Sequence, residues 1–117
     1  EFFSPSACSQ LVPHSSGRIF WIGNIVPENP TGNQPRTPLV IGEVDTKSGL
    51  LRQETVRVID EREDGDSPLL ALSNFSARED RETSEIVVNM SRLFARSPPE
   101  PARDWTSDAY LYRVRVK

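Results

Sequence analysis

"RIFWIGN" (residues 18–24) and "PLVIGEVDTKSGLL" (residues 38–51) are the stretches whose reading decides the fold. Both read as β-strands, and both are apolar on two faces. Ile19, Phe20, Trp21 and Ile22 run consecutively, as do Leu39, Val40 and Ile41; Ile86, Val87 and Val88 repeat the pattern. An antiparallel strand with one solvated face alternates apolar and polar residues. These strands do not, so something must cover them on both sides.

Working outward, the strand signals spread along the chain while helix signals stay weak. Ten prolines interrupt the sequence, and no long window keeps a 3.6-residue period. Strands are predicted over Gln10–Pro13, Arg18–Ile25, Leu39–Asp45, Glu54–Ile59, Leu69–Phe75, Glu85–Phe94 and Ala109–Val116. "DTKSG" (45–49) is a turn, opened by Asp45 and closed by Gly49 at positive φ. "REDRET" (78–83) is a polar hairpin connection, and "EREDGDSP" (61–68) a charged loop. "ARSPPEPARDWTSD" (95–108) is a longer proline-rich loop that Trp105 tacks down.

The two halves of the chain then resemble one another. "SGRIFWIGN" followed by "TPLVIGEVD" is matched, about 68 residues later, by "SEIVVNMSR" followed by "DAYLYRVRV". A short strand and a hairpin precede each pair. Serial four-stranded antiparallel meanders are the pattern of β-propeller blades, which stack so that each sheet is covered on both faces. The expected fold is all-β: antiparallel four-stranded blade meanders, about two blades of a propeller. Residues 1–62 form the first blade and 63–117 a second, incomplete one. A closed propeller has about four to eight blades, so the remaining blades are expected partners, and exposed blade faces would self-associate. The alternative is a free-standing β-sandwich of the same seven strands, used for interaction.

Composition narrows the function. Net charge is −3 over 117 residues, which argues against nucleic acid as a partner, since phosphate binding requires a basic footprint. Arg113, Arg115 and Lys117 form a basic alternate row, read as a solvated strand face. No apolar run of transmembrane length occurs, so no membrane span is expected, and the N-terminus lacks the features of a signal peptide. The first residue is not Met, which fits a processed product or a piece of a longer chain. A single cysteine, Cys8, excludes an internal disulfide. One histidine and one cysteine are too few for a zinc site, and the acidic run at 60–66 lacks EF-hand spacing. No metal and no cofactor is expected.

Taken together, "ACSQLVPHSSGRIFWIGNI", the arginine-bearing loop before "TPLVIGEVD", and "VDTKSGLL" as a degraded Asp-box (BNR) repeat are similar to the C-terminal blades of the sialidase-like, six-bladed propellers. The resemblance implies a glycoside hydrolase acting on glycans, and a periplasmic or secreted location. In that family three arginines grip the carboxylate of a sialic acid, and by position Arg36 would be the third. A guanidinium suits this task because it offers two parallel donors and keeps its charge. The family's nucleophile is a tyrosine, expected near "SPLLALSNF", where this chain has none. Tyr110 and Tyr112 fall too late in the order and read as packing residues.

The expected substrate-binding residues are therefore Arg36, Asn24, Ser9 and Gln10. Asn24 ends a strand beside the arginine loop, and either hydrogen-bonds a sugar hydroxyl or caps the strand. Ser9 and Gln10 lead into a strand at the same mouth. His14 reads as part of a surface hairpin. The catalytic residues are unknown from this chain. The functional alternative is a non-catalytic propeller that binds carbohydrate or protein.

Overall fold

A computed structural model describes residues 1–95 and 107–117. Trp105 and most of the proline-rich loop lie outside the described residues. The chain is all-β. Strands β1 (Gln10–Pro13), β2 (Ile19–Asn24), β3 (Leu39–Val44) and β4 (Arg57–Asp60) form one antiparallel meander; β5 (Ser76–Glu79), β6 (Ile86–Leu93) and β7 (Ser107–Val114) form a second. No barrel closes. The sheets stack as partial propeller blades, four strands in the first and three in the second.

Pairing register sets which residues meet between the sheets. Gln10, Ile22 and Ile41 lie in one row across the first sheet, and Ala77, Val88 and Tyr112 in one row across the second. The core is built from Val12, Ile22, Leu39 and Ile41 on one side and Ala77, Ile86, Val88 and Met90 on the other. Leu70, Leu72 and Phe75, from the linker between the sheets, plug the same core. Truncating one of these large residues to alanine costs about 2–5 kcal/mol.

The outer faces differ. On the first sheet, Trp21 and Gly23 share the outer face, and a Cβ on Gly23 would collide with the indole. Gly42 plays the same part for Leu51, whose Cδ1 would be 2.8 Å from an added Cβ, and for Val56. The N-terminal segment joins this face through a bridge between Phe3 and Val26. A neighbouring blade covers the inner face, as the apolar runs require; on the outer face the chain supplies much of the cover itself. On the second sheet Val87 is buried in a polar outer row, flanked by Arg78 and Arg113.

Two predicted elements are displaced. The apolar stretch predicted as a strand over 69–75 is a linker, buried except at Leu69 and Asn74, with a single bridge, Ala71 to Leu93. Asn74 has φ +55, which breaks an extended run. The strand begins only at Ser76, in "SARE". The predicted strand over 54–59 starts instead as a 3₁₀ turn, Gln53–Thr55, and pairs from Arg57.

Candidate functional site

The β2–β3 loop emerges at the end of the first sheet where Asn24 pairs with Leu39. Prolines at 27, 30, 35 and 38 deprive it of donors, so it cannot continue a ladder. It is tied down by other bonds. Arg36 C=O accepts from Leu72 N–H (2.8 Å). Asn24 Nδ2 donates to Pro38 O and to Leu72 O (3.0 Å each). The Leu72 peptide is thus gripped on both sides, once by each of two predicted site residues. Thr37 Oγ1 accepts from Arg62 N–H (3.1 Å), tacking the loop to the start of the linker.

This fixes the backbone of Arg36 and leaves much of its head available. The half-buried side chain donates through Nε to Asn33 O (2.9 Å), which curls the loop around it. No carboxylate pairs with its guanidinium among the described residues. Arg18, Arg52, Arg92 and Arg113 each have an acidic partner. Arg36 therefore presents terminal N–H donors on an anchored loop, an arrangement able to grip a carboxylate.

The other three predicted residues are placed differently. Asn24 is 1% exposed; its geometry is that of a strand-end clamp, with its Oδ1 and the neighbouring Ser73 Oγ buried and without a hydrogen-bond partner among the described residues. Gln10 uses both ends of its amide on β5: Nε2 donates to Ala77 O (2.7 Å) and Oε1 accepts from Ala77 N–H (2.9 Å). Only Ser9 is exposed, in a groove of about 590 Å³ beside Leu11, Trp21 and Ile25. Arg36 is not among the residues lining that groove. The four residues gather at one end of the first sheet without converging on one point.

Two clusters carry polar chemistry that sequence reasoning missed. At the Arg36 end, Arg92 Nη1 donates to both oxygens of Asp60 (2.7 and 2.8 Å) and Nη2 to Asp66 Oδ2 (2.7 Å). The Tyr112 hydroxyl donates to Asp60, and Arg92 lies over the Tyr110 ring, 5.8 Å from its centroid. Burial, with the Asp60 carboxylate second, pushes the Tyr112 phenol well above its usual range. Burial alone would lower the Arg92 guanidinium, but Asp60 and then Asp66 outweigh it and raise it. The phenol is thus committed to the Asp60–Arg92 network inside the fold. Asp60 and Asp66 bound an acidic run that looked solvated; only the packing of the second sheet against the first brings Arg92 to them.

At the opposite end, the His14 side chain is 5% exposed and stands edge-on to Phe20. It belongs to a hairpin, as expected, but its ring is not a surface group. Nδ1 accepts the Ser16 N–H (3.1 Å), which leaves Nε2–H to donate to Ser84 O (2.8 Å) on the second sheet. Glu79 accepts from the Ser15 hydroxyl and N–H, and in that order they hold its carboxyl below the usual range. This cluster latches the two hairpins together.

Among the described residues, no group of His, Cys, Asp and Glu is placed to hold a metal ion, and no helix is long and apolar enough to cross a membrane. No protein-family model, curated protein or solved structure matches this chain.

Proposed function

We propose that these blades belong to a sialidase-like propeller that acts on glycans, with Arg36 engaging the carboxylate of an acidic sugar. One observation supports this most directly: Arg36 is a backbone-anchored arginine with no acidic partner among the described residues. The Asp45 turn, read as a degraded Asp-box, is compatible with the same family. Hydrolysis would need its nucleophile from other blades, because the stretch "SPLLALSNF" carries no tyrosine and Tyr112 comes too late in the strand order. The missing tyrosine favours a second reading, a propeller that binds acidic glycans without cleaving them.

The test is calorimetric titration with N-acetylneuraminic acid and with its methyl ester. The acid is expected to bind about tenfold tighter or more, the worth of a charge-assisted hydrogen bond, and Arg36→Ala to erase the difference. Equal affinity for acid and ester, or full discrimination in the variant, would overturn the clamp. Release of fluorophore from a fluorogenic sialoside by the parent protein separates the glycosidase from the binding propeller.

A further inference from the structure

A second cleft opens at the far end of the sheets from Arg36, where β7 runs past its last paired residue. Val114 pairs with Ile86, and the chain then continues as Arg115, Val116 and Lys117 across the first sheet. Arg18 Nη2 donates to Lys117 O (3.0 Å) and holds this segment over β2. The space left between the sheets is about 360 Å³. Its floor is Phe20, Ile41, Val114 and Val116; Ile41 is a core residue and the others pack against the core. The cleft is a side entrance to the core, walled by both blades.

Its rim is cationic in a chain of net negative charge. Arg57, Arg115 and Lys117 line it, and none has a carboxylate partner among the described residues. Arg57 donates only to the backbone oxygens of Glu54 and Val56. Two carboxylates also face the cleft, but both are answered: Glu43 and Glu54 pair with Arg52, at 3.2 and 3.0 Å, and Glu43 also lies 3.9 Å from Arg18. In the basic row at the end of the chain, Arg113 is paired with Asp80 and Glu85 at 3.1 Å. Arg115 and Lys117 are left over, and they border the cleft.

We infer that this cleft binds a small amphiphilic anion: a carboxylate, sulfate or phosphate head on a short apolar body. The apolar floor accounts for the body and the three unanswered cations for the head. Neither half alone distinguishes this ligand from a simple ion or an oil; their adjacency does.

The experiment is an NMR titration of the ¹⁵N-labelled 117-residue chain with octanoate and with octanol, each at low and high salt. Octanoate is expected to shift the amides of Phe20, Ile41, Val114 and Val116 saturably, and octanol to bind several-fold more weakly. Salt should weaken octanoate and not octanol. Because both arginines are exposed, R57Q and R115Q should each weaken octanoate by about threefold and leave the folded spectrum intact. Equal affinity for acid and alcohol, unchanged affinity in both variants, or shifts centred on the Leu11–Trp21 groove would overturn the inference. So would a concentration-dependent dimer that closes the cleft before any ligand is added.

Discussion

Gly23 and Gly42 show how much one missing Cβ decides. Each sits in a strand interior, where glycine weakens the strand and signals a close approach. In this chain the approaching groups are the Trp21 indole over Gly23 and Leu51 with Val56 over Gly42. Gly23→Val is expected to lift the indole from the sheet, destabilising the fold by about 1–3 kcal/mol and shifting tryptophan emission to the red. A chemical-denaturation curve read by fluorescence checks both; an unchanged midpoint would mean the indole does not rest there. Both glycines fall inside the predicted strands, but the sequence reading assigns them no role. What fills the space above them was not legible, because Leu51 and Val56 reach Gly42 only after the chain has turned at Asp45.

At the scale of elements, the junction between the blades is carried by side chains imitating strands. Ala77 and Val88 are opposed in β5 and β6, and Gln10 takes up both the N–H and the C=O of Ala77. Gln10→Leu keeps the bulk and removes both bonds, leaving the Ala77 N–H and C=O without their partner at a cost of about 1–3 kcal/mol each. Hydrogen exchange should register the change as lost protection at the Ala77 amide, with the β6–β7 amides unaffected. The turns repeat a second economy. Asp45 accepts from Lys47 and Ser48 N–H, and Asp80 from Glu82 and Thr83 N–H; Gly49 and Ser84 close the two turns at φ +73 and +58. The first was readable from its Asp and Gly. The second closes on a serine, so it shows only as a polar hairpin.

Across the whole molecule, these carboxylates give acid sensitivity a defined sign. Backbone N–H bonds, those of Lys47 first, hold Asp45 below its usual range; the Glu82 N–H and then Arg113 do so for Asp80; the Ser15 hydroxyl leads for Glu79. Their folded pKa values lie below their unfolded ones, so the stability they contribute is present above the ordinary carboxylate range, about pH 4. It is lost as pH falls through the folded values. The urea midpoint should therefore be level near neutrality and decline below about pH 4, with a shallower decline in Asp80→Asn. A midpoint that rises on acidification would contradict the assignment.

The sequence by itself determined the all-β character and the repeat of antiparallel meanders, because unbroken apolar strands separated by turn residues have few other solutions. It also marked Arg36 as an arginine in a proline-stiffened loop. Tertiary structure alone decided the rest. An apolar run such as 69–75 reports burial rather than strand, so its role as a core plug emerged only when both sheets closed on it. Asn24 and Gln10 are equally polar on paper whether they meet a ligand or the neighbouring blade, and contact with Leu72 and Ala77 made them clamps. Asp60, Arg92 and Tyr112 are far apart in the chain, and their meeting depends on the stacking of two sheets, which no local pattern encodes.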